Sequence, residues 1–336
     1  MATSEGIENM NLAAVIREIG RGAAGARDMS SVEAQALYAA ILDDQVPDLE
    51  QGAIAIALRM KTETIDEMVG FLAAANERLP SLARPAGHLR PVLIPTYNGA
   101  RRSANLTPLL ALLLQRFGVP VLVHGLSADY GRVTSAQIFA EFGLQACSSL
   151  AQAQLAIDEY GLAYVPLPLL SPGLDRQLAL RNRLGLRNSA HSLVKMLDPF
   201  RGEALLLAAA THPDYITSMR AVLSAASAHA LLLRGSEGEP FANPKRRPLI
   251  EHLHDGVSDI LFEAERDSLR VLPQLPETCD AGATVAWMHR VLAGEASLPL
   301  PIANQLACCL YACGRASNFN HAKALVAIEC AGLAVV

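Results

Sequence analysis

Between Pro95 and Pro108 the chain reads PTYNGARRSANLTP, a turn built from Pro95, Asn98 and Gly99 that carries Arg101 and Arg102 into the start of an apolar helix. Asn105 is placed to cap that helix. Free backbone N–H groups and the positive end of the helix dipole at such a junction can hold a phosphate, and two arginines add charge to it. A plain surface loop between a strand and a helix would read the same way, so anion binding is one of two readings.

A second basic segment, DRQLALRNRLGLRNSAHSLVKML, carries Arg176, Arg181, Arg183, Arg187 and Lys195 and no acid after Asp175. Arg183, Arg187, His191 and Lys195 recur at every fourth position, which aligns them on one helix face if Gly185 does not break the helix. Solvated faces usually intersperse both signs, whereas uncompensated positive charge is what phosphate contacts use. The shorter cluster NPKRRP, with Lys245, Arg246 and Arg247, reads as a solvated, proline-bounded loop.

Other reactive residue types are present without a spacing that does chemistry. CCLYAC places Cys308, Cys309 and Cys313 at separations that do not make a zinc-binding C-x-x-C, and these read as core thiols. EHLHD offers His252, His254 and Asp255, but read as a helix its two imidazoles diverge, so no metal site is expected. No Ser/His/Asp or Cys/His set can be singled out, and no catalytic residue is assigned.

These motifs need a scaffold, and the composition provides one. The chain has 336 residues, 51% of them hydrophobic, enough to bury a large core in two domains. A net charge of −5 excludes a protein that is basic all over, so nucleic-acid affinity would have to come from local patches. Six cysteines in irregular positions do not form a disulfide framework. No apolar run reaches the roughly 18 to 20 residues that span a bilayer, and the first residues lack a signal-peptide pattern. A cytoplasmic protein with no membrane partner is expected.

Residues 9 to 80 read as four amphipathic helices, with Ser30 or Ser31 and Thr64 as caps and Glu33, Asp66 and Glu67 in the first turns. After the connector LPSLARPAGHLRP the pattern changes to short β-branched runs alternating with helices: VLIP, VPVLVHG, LAYVPLP, EALLLAAA and AHALLLRG. Such alternation implies a mainly parallel sheet covered by helices. The last 50 residues or so return to helix. The expected fold class is α/β, with a small all-helical domain at 1–80, joined by part of 170–200, and a larger mainly parallel α/β domain at 88–336.

Several of these segments, in order, resemble anthranilate phosphoribosyltransferase. ALRMKTET at Ala57–Thr64, the stretch from Val92, the His124-Gly125 pair, RNRLGLRN at Arg181–Asn188 and VLAGE at Val291–Glu295 match successive motifs of that family. The resemblance implies a nucleoside phosphorylase/phosphoribosyltransferase-like fold and a homodimer formed through the helical part. At the catalytic positions the match fails. The family's G-T-G-G-D-G diphosphate loop reads Pro95, Thr96, Tyr97, Asn98, Gly99 and Ala100, so Thr96 and, further on, Asn105 survive while the four glycines and the acid do not, Gly99 falling at the acid's position. Close backbone approach to a diphosphate depends on glycine, and Pro95 and Tyr97 should obstruct it. The family's lysine before His-Gly is Val123, and its magnesium-binding Asp-Glu pair falls on Pro240 and Phe241, with Glu237 and Glu239 as shifted remnants. Arg181 matches the family's substrate-carboxylate arginine.

The same departures resemble the YbiB-type branch of the family, which shares YNGAR, NLTPLLALLL, VPVLVHG and NRLG. That resemblance implies a protein binding DNA, and RNA as well, with little sequence preference and no transferase activity. Its phosphate contacts would be Arg101, Arg102, Arg181, Arg183, Arg187, Lys195, Arg201, Lys245, Arg246 and Arg247. Thr96, Asn98, Gly99, Asn105, His124 and Gly125 would be a vestigial diphosphate pocket, with no metal and no cofactor. The alternative is a transferase that uses phosphoribosyl diphosphate with magnesium.

Overall fold

The computed structural model of the protein describes residues 10–22, 24–129, 131–270 and 272–330. The first nine residues, where the sequence shows no signal-peptide pattern, and the end of the last expected helix lie outside the described residues. The chain divides into two compact units, Met1–Pro80 with Leu170–Pro199, and Ser81–Leu169 with Phe200–Val336. No helix of the described residues is long and apolar enough to cross a membrane.

In chain order the first elements are α1 (Leu12–Ile19), α2 (Ser31–Leu42), α3 (Asp48–Lys61) and α4 (Ile65–Glu77). Then come β1 (Val92–Thr96), α5 (Thr107–Arg116), β2 (Val121–Gly125), α6 (Ser135–Phe142), α7 (Leu150–Tyr160) and β3 (Leu162–Pro166). Four short helices follow, α8 (Leu167–Leu170), α9 (Pro172–Ala179), α10 (Arg181–Leu184) and α11 (Ala190–Leu193). The chain continues with β4 (Leu205–Ala210), α12 (Pro213–Ala225), β5 (Ala230–Arg234), β6 (Ile250–His254) and β7 (Val257–Phe262). It closes with α13 (Ala281–Leu292), α14 (Leu300–Ala312) and α15 (Phe319–Glu329).

In the helical unit, Ser30 and Glu33 close a reciprocal capping box on α2, and Thr64 and Glu67 do the same on α4. Glu67 does more than complement a helix dipole. Its fully buried carboxylate accepts the Met29 and Thr64 backbone N–H groups at 2.9 Å each and pairs with Lys61, also at 2.9 Å. The network ties α3 and α4 to the entry of α2. Tyr38 of α2 stacks on Phe71 of α4 with ring centroids 4.6 Å apart.

The α/β unit is built on one seven-stranded sheet of order β3-β2-β1-β4-β5-β6-β7. The first five strands in that order are parallel, and every residue of β1, β2 and β4 is buried, as expected for strands covered on both faces. Alternate residues such as Val92, Ile94, Val121 and Val123 share one core with α5, α6, α13, α14 and α15. Leu93, Leu122 and Leu206 are buried on the opposite face.

The sheet is longer than the sequence pattern indicates. EHLHD, read above as helical, is the end of β6, which pairs antiparallel with β5 and turns into β7. Asp255 and Gly256, with φ of 48° and 76°, form the two-residue hairpin connection, for which an Asp-Gly pair is the usual sequence signal.

Candidate functional site

The turn after β1 is an anion cradle, and the protein's own carboxylates fill it. Glu239 is completely buried beneath it. Its Oε1 accepts the backbone N–H of Asn98 at 2.7 Å and of Gly99 at 2.9 Å. Its Oε2 accepts the hydroxyls of Thr107, at 3.2 Å, and of Thr96. Thr96 also lies 2.7 Å from the hydroxyl of Ser135, to which Asn105 donates at 3.1 Å. Asn105 therefore braces the cradle from inside. It is not the helix cap: Leu106 holds that position, and Asn105 Oδ1 accepts the Thr107 N–H at 3.1 Å.

A second carboxylate sits nearer the surface. Glu237 accepts the Arg102 N–H at 2.9 Å, the Arg101 N–H at 3.3 and 3.4 Å and the Ser103 hydroxyl at 3.4 Å. The Arg132 guanidinium lies 3.7 Å from it and also donates to the Gly99 carbonyl at 3.0 Å. Between the two acids, Gly238 has a φ of 92°, and a Cβ there would overlap the Asn98 amide. Only glycine lets the two loops close this tightly.

The arrangement accounts for the donors of the turn in physical terms. Backbone N–H groups that would face a phosphate face carboxylate oxygens supplied by the same chain. Both acids are committed to protein donors, and Pro240 and Phe241 supply no metal ligand. These residues do not fit a magnesium ion on a diphosphate. Glu237 and Glu239, which sequence alignment makes shifted remnants of a metal pair, are thus the acceptors that close the loop. Nothing in local spacing links them to Asn98 and Gly99, some 140 residues earlier in the chain.

His124 and Gly125 end β2 beside β1. Burial pushes the His124 pKa down to about 3, so the ring is neutral, and Nδ1 lies 2.6 Å from the Tyr97 hydroxyl. Tyr97, which replaces a glycine in the aligned family loop, is thereby part of the core.

The expected basic residues fall into both units. In the helical unit the four-residue alignment does not form, because Gly185, at a φ of 72°, ends α10, and α11 begins afresh at Ala190. Arg181, Arg183 and Arg187 are exposed and Lys195 is half-buried. The acid missing from the segment is supplied in space, since Asp48 pairs with Arg183 at 2.9 Å. Three of the cations nevertheless gather round one side chain. The His191 pKa is held down at about 4 by burial first and then by the charges of Arg187, Arg181 and Lys195.

In the α/β unit, Arg101, Arg102, Arg201, Lys245 and Arg246 are exposed. Arg247 is committed to structure: it pairs with Glu265 at 3.3 Å and lies 4.8 Å over the Phe262 ring. The NPKRRP loop is thus only partly solvated.

The remaining reactive groups are packed into the fold. On strand β6, His252 and His254 share a face, the reverse of their divergence on a helix, with rings 4.3 Å apart, and His252 Nε2 lies 2.9 Å from His229 Nε2. Burial brings the pKa values of His229 and His252 down to about 4. Among the described residues no group of three or more His, Cys, Asp or Glu could hold a metal ion. Cys308, Cys309 and Cys313 are buried, and burial raises all three thiols, Cys313 to about 11, which makes them poor nucleophiles.

Comparison with known proteins places this geometry in a lineage. Residues 13–78 match the model of the glycosyl transferase family, helical bundle domain. YbiB of Escherichia coli (strain K12), described as uncharacterized, is 43% identical over 318 residues, covering 94% of this chain and 99% of that one. An anthranilate phosphoribosyltransferase of Desulforudis audaxviator is 29% identical over 194 residues, 57% of this chain and 56% of that enzyme. Among solved structures, the anthranilate phosphoribosyltransferase of Thermus thermophilus superposes with a TM-score of 0.69 at 20% identity, covering 95% of this chain and 94% of that chain.

Proposed function

This chain belongs to the YbiB family, homologous to the anthranilate phosphoribosyltransferase scaffold, and we propose that it is a nucleic-acid-binding protein without transferase activity. The observation that carries the reading is the filled cradle. Glu239 takes the N–H groups a diphosphate would need, while Arg101 and Arg102 of the same loop are exposed. The charge of these two arginines is available to a surface. Together with the cations around His191 it supports phosphate contacts that are sensitive to salt and largely indifferent to sequence, on DNA and on RNA.

Arg101, Arg102, Arg181, Arg183, Arg187 and Lys195 carry most of the binding on this reading, with Arg201, Lys245 and Arg246 contributing and Arg247 acting through the fold. The protein works as a cytoplasmic homodimer and uses no cofactor. Self-association is supported by the largely exposed apolar side chains of Leu49 and Met60 on α3. Two copies would bring duplicate basic surfaces to one strand of nucleic acid.

The test is fluorescence-anisotropy binding to labelled single- and double-stranded oligonucleotides across a salt series. Replacing Arg183, Arg187 and Lys195 together by Ala should weaken binding and flatten the salt slope by roughly 0.7 to 0.9 for each phosphate no longer neutralised. Unchanged affinity and slope would remove this surface from the proposal. The transferase alternative is favoured by the convergence of Thr96, Asn105 and Ser135 in the cradle. A calorimetric titration with phosphoribosyl diphosphate and magnesium decides it, since a working enzyme must bind that pair.

A further inference from the structure

The two carboxylates in the cradle are not held alike. The inner one, Glu239, is fully buried and takes its backbone donors at 2.7 and 2.9 Å. The outer one, Glu237, keeps 16% of its side chain exposed and has one short contact, from the Arg102 N–H at 2.9 Å; its other contacts run from 3.3 to 3.7 Å. Glu237 also adopts a φ of 54°, a left-handed conformation that a non-glycine residue holds only at some cost. The inner carboxylate seals the position of the aligned family loop. The outer one occupies a different set of donors, Arg101 to Ser103 and Arg132, beyond that six-residue stretch.

We propose that this outer seat is a phosphate-binding site for the nucleic-acid backbone, guarded by Glu237. The inference rests on the nucleic-acid reading above. The donors already hold an anion, so their geometry suits one. A planar carboxylate has two oxygens to offer to two backbone N–H groups, a hydroxyl and a guanidinium that approach from different directions. A tetrahedral phosphate group offers its oxygens in diverging directions and meets such a set better. Arg101 and Arg102, whose backbone N–H groups form the seat, carry exposed side chains, so a phosphate displacing Glu237 gains their charge as well. Glu237 is then a competitor for the site and a brake on affinity. Arg132, which no local pattern singles out, becomes a binding residue.

The experiment measures oligonucleotide affinity and inorganic phosphate binding for the natural chain, Glu237→Gln, Glu237→Gly, and each of these two combined with Arg132→Gln. Gln keeps the shape of the guard and removes its charge; Gly empties the seat and relaxes the left-handed backbone. Both single variants should bind the oligonucleotide roughly three- to tenfold more tightly at low salt, and Arg132→Gln should cancel the gain. If the natural chain binds and both Glu237 variants bind no better, the guarded seat is refuted while the nucleic-acid reading stands. If no variant binds the oligonucleotide, that reading falls. Inorganic phosphate then decides the seat: saturable binding to Glu237→Gly, absent when Arg132→Gln is added to it, keeps a free-phosphate site, and no binding overturns it.

Discussion

Removing the inner carboxylate tests the cradle most directly. Glu239→Ala leaves the N–H groups of Asn98 and Gly99 and the hydroxyls of Thr96 and Thr107 without their acceptor in a fully buried place. An unsatisfied buried donor costs about 1–3 kcal/mol, but the hydroxyls can turn to other acceptors and a water can enter the vacated space. The two backbone donors then dominate, for a loss of about 4 kcal/mol, a large part of the roughly 5–15 kcal/mol that holds a typical domain together. Glu239→Gln keeps one oxygen and the volume but loses the charge and turns an amide donor toward one pair of partners, for about 2 kcal/mol. Trp287, the only tryptophan, is buried in the α/β unit, so its fluorescence in a urea titration reports unfolding of the unit that contains the cradle. The expected order of midpoints is natural chain, then Gln, then Ala. A midpoint for Glu239→Ala equal to that of the natural chain would refute the claim that this carboxylate satisfies the loop.

Gly238→Ala should destabilise the same unit by about 2 kcal/mol, because the new methyl group meets the Asn98 amide at a backbone conformation that only glycine adopts freely; an unchanged midpoint would show the loops are not locked there. In the helical unit, Lys61→Met strands the buried Glu67 carboxylate and should cost about 3–5 kcal/mol, read from a separate loss of helix by far-ultraviolet circular dichroism before Trp287 responds. Stability should also fall in mild acid. His124, His191, His229 and His252 all have lowered pKa values in the fold, between about 3 and about 4. Below about pH 6.5 the unfolded chain takes up protons that the folded one does not, so their contribution is whole above that pH and drains away as pH falls toward about 4. For fully buried His124 this amounts to about 2 kcal/mol at about pH 5, and a His124→Gln variant should lose that share of the pH dependence in denaturant titrations.

Much of the architecture is local and therefore written in the sequence. Ser30 and Thr64 with their partners three residues on announce helix starts, and the apolar runs from VLIP to AHALLLRG announce the five parallel strands, because capping and side-chain periodicity act within a few residues. Pro95 and Tyr97, both buried, stand in place of glycines and already speak against a working diphosphate loop. Other features needed the folded chain. Histidines two apart diverge on a helix and align on a strand, and it is pairing with β5 that makes β6 a strand. The aligned basic face fails at one glycine, and Arg183 finds its counter-charge in Asp48, which is distant in sequence. The decisive fact, that the anion cradle is closed by Glu237 and Glu239, joins segments about 140 residues apart. Composition and spacing record which groups a chain owns; only the sheet order and the loops it brings together determine which donor meets which acceptor.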